Sequence, residues 1–167
     1  MQLAHVLDVL QELHVASGHP ELAAVERFGT DATPGGPSPA GLRLRYGTGS
    51  FAYLWGAVWA GETAMAVPED LPPPSHRASR AVVFAAQLLD VARPDAFRTW
   101  ELCALRDLGP AAARGKAPLG LRINSAEGTS FLLRATAAGG PTREPDTEPH
   151  PSYRIPVSGA GAPDRAG

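Results

Sequence analysis

The sequence predicts an α+β fold: a mainly antiparallel sheet of two β-hairpins, about residues 41–59 and 119–136, packed against two main helices, about residues 2–17 and 76–92. Three observations carry that expectation. Leu3, Val6, Leu7, Leu10 and Leu13 recur at the spacing of one helix face. Apolar and basic residues alternate through Leu42-Arg43-Leu44-Arg45-Tyr46, as side chains do in a strand with one buried face. Two triplets that end in glycine, Gly47-Thr48-Gly49 and Ala126-Glu127-Gly128, stand between apolar runs where a hairpin turns.

Taken in order, the first helix is stopped by Gly18 and Pro20. Glu21–Phe28 reads as a short second helix, and Gly29–Gly41, with its prolines and glycines, reads as loop. The first hairpin follows, then a third strand near Ala64–Val67 and a proline-rich extended connector, Pro68–Pro74. Ser75 or Ser79 is expected to cap the next helix, which places Val82, Ala86 and Leu89 on one face and ends before Pro94. Phe97–Leu105 fits either period; its Thr99, Trp100 and Cys103 favour strand. The second hairpin pairs Leu119, Leu121 and Ile123 with Phe131, Leu133 and Ala135. Residues 1–136 are thus expected to form a single α+β domain, and the Pro- and Gly-rich residues 137–167 a disordered tail.

Gly41-Leu42-Arg43-Leu44 aligns without gaps to Gly120-Leu121-Arg122-Ile123, and Gly49 then falls on Gly128. Each hairpin has a helix upstream. The match is weak, and two readings stay open: an α-then-hairpin unit used twice, or hairpin chemistry repeating itself.

The parity of the first hairpin loop decides which face of the aromatic strand is core. Phe51, Tyr53, Trp55 and Trp59 share one face of Ser50–Trp59, and Ala52, Leu54 and Val58 share the other. A two-residue Gly47-Thr48 turn would bury the aromatics beside Leu42 and Leu44; a three-residue loop with Gly49 left-handed pairs Arg45 with Phe51 and Arg43 with Tyr53. The second hairpin favours the odd loop, because only that puts Ile123 opposite Phe131 and Leu121 opposite Leu133. The first hairpin is expected to follow it.

The charge balance limits the partners. The formal net charge is -2, with an acidic first quarter and a mildly basic stretch from 97 to 140, too small an excess to favour duplex DNA or a membrane surface. Arg outnumbers Lys so strongly, beside abundant Ala, Gly and Pro, that a GC-rich bacterial genome is the expected source. Cys103 is the one cysteine, so no intrachain disulfide forms, and a cytoplasmic location is the expectation. The first residues lack the pattern of a signal peptide, and the longest apolar run, Phe51–Ala60, is about half of a membrane span.

Among candidate sites, the face carrying Arg43, Arg45, Phe51, Tyr53, Trp55 and Trp59 leads. Four aromatics exceed the apolar surface that a monomer usually leaves in water, so something must cover them: the connector, the Tyr153–Pro156 segment, a second copy or another protein. The leading expectation is therefore a non-enzymatic protein-interaction module, self-association included. The alternative is single-stranded nucleic-acid binding by ring stacking and Arg contacts, with less support from the charge. A small enzyme ranks third, resting on His5, Asp8 and Glu12 along one side of the first helix, where a solvated face explains them as well. His14 and His19 are expected to meet the last carbonyls of that helix. No catalytic residue, metal ligand set or cofactor motif is assigned: zinc spacings are missing, Gly115-Lys116 lacks the rest of a phosphate-binding loop, and a lone Cys103 in an apolar segment reads as packing.

Overall fold

The computed structural model describes residues 1–29, 40–57, 62–105, 119–140 and 143–157. In chain order they form α1 (Leu3–Ser17), β1 (Leu22–Phe28), β2 (Gly41–Tyr46), β3 (Ser50–Ala57), β4 (Glu62–Met65), a 3-10 turn (Pro74–His76) running into α2 (Arg77–Ala92), β5 (Phe97–Leu105), β6 (Leu119–Ser125) and β7 (Ser130–Gly139). Among the described residues seven strands make one antiparallel sheet, in the order β1-β2-β3-β7-β6-β5-β4. The α+β reading and both hairpins stand as expected.

Both helices lie on one face of this sheet. α1 turns Val6, Leu7 and Leu10 inward, and α2 buries Ala81, Val82, Val83, Ala85, Ala86 and Leu89. From the sheet, Leu42, Leu44, Ala52, Leu54, Leu102, Leu121, Ile123, Leu133 and Ala135 meet them in one apolar cluster. Gly18 ends α1 with φ 58°, the left-handed conformation that glycine takes without strain. Arg93 does the same for α2 at φ 45°, and its N–H reaches the Leu89 carbonyl at 2.8 Å.

Four expectations are corrected. Glu21–Phe28 is not a helix: Leu22–Phe28 forms the edge strand β1, paired with β2 through Val25↔Leu44, Glu26↔Arg43 and Phe28↔Gly41. Two turns of isolated helix are marginal in water, whereas this ladder pairs the backbone groups that face β2 and packs the partly buried Val25 against the core. Gly41, expected in the loop, opens β2; most of the remaining loop, residues 30–39, lies outside the described residues. Neither Ser75 nor Ser79 caps α2. His76 occupies the cap position without a side-chain bond, and the Ser75 N–H donates to the Pro145 carbonyl at 3.0 Å. The fourth concerns the tail: β7 runs on to Gly139, and residues 143–157 pack along α2 and the end of α1, for reasons given below. The third strand sits at Glu62–Met65, two residues earlier than expected, and 97–105 is strand throughout.

The two halves share an architecture. α1-β1-β2-β3 and α2-β5-β6-β7 repeat one order, and β3 and β7 join them at the centre of the sheet. The correspondence is fine-grained: each helix ends on a left-handed residue, each first strand carries an irregularity near its start, at Leu22/Ala24 and Phe97/Thr99, and Gly49 and Gly128 close the hairpins with φ 85° and 91°. Gly18 and Arg93 stand as far apart in sequence as Ala24 and Thr99, and Gly41 and Gly120 as far apart as Gly49 and Gly128. The short sequence match is therefore embedded in a repeated α-β-β-β unit.

Candidate functional site

Loop parity puts the aromatic residues on the sheet face away from the helices. Tyr46 accepts the Gly49 N–H at 3.0 Å, and Ser125 accepts the Gly128 N–H at the same distance, so both loops have three residues with a left-handed glycine last. Arg45 is then opposite Phe51 and Arg43 opposite Tyr53, while Ala52 and Leu54 are fully buried with Leu42 and Leu44. Arg43, Arg45, Phe51, Tyr53 and Trp55 thus share the outer face. Trp59 lies outside the described residues.

Phe51, Tyr53 and Trp55 are half-buried by their neighbours on the sheet. Phe51 and Tyr53 stack with centroids 6.5 Å apart, and Phe28 meets Tyr53 edge-on at 5.2 Å. The Arg43 guanidinium sits 5.7 Å from the Phe51 centroid, and that of Arg134 sits 5.6 Å from the Trp55 centroid. Phe28 reaches this cluster by lying across Gly41: a Cβ there would stand 2.5 Å from the Phe28 ring and 2.3 Å from the Leu54 carbonyl oxygen. Arg43 also donates from Nε to Glu26 at 2.9 Å, which holds the Glu26 carboxyl below its usual range. Further along the face Arg122 pairs with Glu101.

Phe28, Glu26 and Arg134 were not among the candidate residues. The first two went unseen because their segment has helical spacing; Arg134 belongs to β7, whose place beside β3 depends on a long-range pairing. At the opposite end of the same face Cys103, Leu105 and Leu132 form a second, buried apolar cluster. Cys103 is thus packed away from solvent.

His5, Asp8 and Glu12 are brought together only as an exposed stripe on α1, with Asp8 3.6 Å from Arg27. Among the described residues no group of three His, Cys, Asp or Glu side chains is placed to hold a metal ion. His14 and His19 depart from the expected capping role. His14 is buried, its Nδ1–H donating to the Leu10 carbonyl at 2.7 Å, one turn back inside α1, and burial lowers its pKa to about 4. His19 accepts the Glu21 N–H at 3.2 Å and packs its ring against Phe84 and Tyr153, at 5.0 and 4.4 Å; burial lowers its pKa, against the pull of Glu21.

A second constellation, unforeseen from the sequence, gathers at the start of α2. Arg77 and Arg80 are only 4% and 2% exposed. Arg80 donates to Glu21 at 3.0 Å and to Glu148 at 2.6 Å; Arg77 donates to Glu144 at 2.9 Å, stands 3.5 Å from Glu21, and lies over the Tyr46 ring. Ser50 adds a hydrogen bond to Glu144 at 2.5 Å. Burial alone would push the Glu144 and Glu148 carboxyls up, but the bonds from Arg77 and Ser50 to the one, and from Arg80 to the other, outweigh it and hold both low. Tyr153 completes the attachment by donating its hydroxyl to the Ser17 carbonyl at 2.7 Å. The strap so held, residues 143–157, forms one wall of a groove of about 840 Å³ that also includes His19, Asp70, Phe84 and Gln87. Two sequence signals pointed here: two arginines in the first turn of an otherwise apolar helix, and the repeated Glu-Pro of Glu144-Pro145 and Glu148-Pro149.

No helix among the described residues is long and apolar enough to cross a membrane. No family model, characterised protein or solved structure compared with the chain matches it.

Proposed function

We propose that this chain is a non-enzymatic protein-interaction module that buries the aromatic end of its outer sheet face against a protein partner, a second copy of the chain being the simplest. The observation behind this reading is where the chain's own covering segments go. The connector lies on the helix side, with Val67 and Leu71 against the core and the Pro68 and Glu69 carbonyls accepting bonds from Gln87. Tyr153 is also on that side, against Ser17 and His19. The two segments of the chain named as alternative covers for Phe51, Tyr53 and Trp55 are therefore engaged elsewhere, while the rings keep part of their surface for a partner. A cytoplasmic location, in keeping with a single buried cysteine, belongs to the same reading.

Sedimentation over a wide concentration range tests it. The parent should self-associate, and Tyr53→Ala with Trp55→Ala should weaken association at least tenfold while the far-ultraviolet spectrum is kept. A parent that stays monomeric at every concentration, or a double variant that unfolds, counts against the reading.

Single-stranded nucleic acid is the second reading, favoured by the two Arg–ring stacks, Arg43 on Phe51 and Arg134 on Trp55. Its support is thinner, because Glu26 and Glu101 offset two of the arginines on this face. It requires salt-sensitive quenching of tryptophan fluorescence by an oligonucleotide; no quenching at low salt removes it.

A further inference from the structure

α2 begins with two buried arginines in its first turn and no acidic residue there, the reverse of what a helix N-terminus favours. Buried guanidinium groups persist only where carboxylates meet them. Among the described residues the carboxylates at ion-pair distance are Glu21, next to β1, and Glu144 and Glu148, both on the strap. Without the strap, two arginines would share one glutamate. Arg77 Nη1, buried and without a hydrogen bond, has the Glu21 carboxylate at 3.5 Å, so Glu21 meets Arg77 less closely than Glu144 does.

The strap has the form of a bound ligand. It is short of regular structure, carries Glu-Pro twice at a spacing of four residues, and is fixed by side-chain bonds at three points and by one backbone bond, from Ser75 to Pro145. It leaves β7 through Gly139 and Gly140, both with positive φ, so its point of departure is a pair of residues with wide backbone freedom. Tethering gives such a segment a high effective concentration at its own docking surface, and a competitor in trans must overcome that.

We infer that the surface of Arg77 and Arg80 beneath the strap is a recognition site for an extended acidic segment of a partner protein, one that presents two Glu-Pro pairs four residues apart, and that the strap is its built-in occupant, holding the site closed in the isolated chain. Arg77 and Arg80 read the two carboxylates, Tyr46 supports the Arg77 plane, and the surface contacted by Tyr153 reads an aromatic residue further along. This site is separate from the outer sheet face, on the other side of the sheet.

The experiment uses the full chain and a fluorescent peptide with the sequence of residues 143–157. In a variant carrying Glu144→Gln, Glu148→Gln and Tyr153→Ala, the strap is weakened and the surface beneath it is open. The peptide should bind this variant at least tenfold more tightly than the parent, and a peptide with both glutamates changed to glutamine should lose at least tenfold. Equal binding to variant and parent, or none to a folded variant, overturns the inference; so does a parent found as a dimer that exchanges straps, which would make the second copy the occupant. If the variant does not fold, hydrogen exchange on the parent decides: strap amides that exchange at least a hundredfold faster than those of α2 and β7 support a detachable strap, and equal protection makes it an integral part of the domain and overturns the inference.

Discussion

The Arg77 guanidinium carbon lies 3.8 Å from the centroid of the Tyr46 ring, and the two side chains shield each other from water. The stack uses the planarity of the guanidinium twice, once against the ring and once in paired donation from Nε and Nη2 to Glu144, at 3.1 and 2.9 Å. Lysine keeps the charge and loses both geometries. Arg77→Lys should therefore lower stability by about 1–2 kcal/mol in urea unfolding, with the slope unchanged.

His14 makes the fold sensitive to mild acid. Burial lowers its pKa from 6.5 to about 4, so the folded protein binds this proton less readily than the unfolded chain. Stability from the neutral ring is complete above the unfolded pKa and is lost as pH falls from 6.5 toward 4, a total of about 3 kcal/mol at the usual conversion. His14→Gln should flatten this dependence. Unfolding in urea at pH 7 and pH 4.5 should show the parent losing about 2 kcal/mol more than the variant between the two conditions.

The glycines of the first hairpin differ sharply in what they tolerate. Gly41→Ala would place a methyl group 2.3 Å from the Leu54 carbonyl oxygen, backbone that cannot swing aside, and should cost about 3 kcal/mol or more. At Gly47 the nearest atom to such a methyl is the Glu21 carbonyl oxygen, 3.9 Å away, and Gly47→Ala should lie within about 0.5 kcal/mol of the parent. Thermal unfolding of the two variants separates them.

That contrast also marks how far the sequence could be read. The side on which Trp55 falls was legible, because register is local chemistry: Gly49 and Gly128 in left-handed positions set loop parity, and parity sets the face. β1 was not legible, since Leu22, Val25 and Phe28 satisfy a helical period and become a strand only by pairing with Arg43 and Leu44 across a loop. The strap was hidden for a related reason. Composition registers its prolines and charges as signs of disorder, whereas Glu144 gains its role from Arg77, 67 residues away in sequence. On the outer face, the shared placement of Arg43, Arg45, Phe51, Tyr53 and Trp55 was legible, and the approach of Phe28 and Arg134 from β1 and β7 was not.

Neighbouring positions on β3 give the most direct test of which face is core. Leu54 is fully enclosed by the apolar cluster between sheet and helices, so Leu54→Asp would bury a carboxylate without a partner. The variant should have no cooperative unfolding transition. Trp55, one residue on, points to the outer face and is half-buried beside Arg134. Trp55→Lys loses ring contacts worth about 1–2 kcal/mol but leaves the new ammonium access to water through its flexible stem, so the domain should stay folded. Circular dichroism melts of the two variants decide the matter: a folded Leu54→Asp, or an unfolded Trp55→Lys, would mean that the aromatic face belongs to the core. A folded Trp55→Lys that also ceases to self-associate would tie that face to assembly, because the substitution removes the ring while leaving the helix side of the sheet untouched.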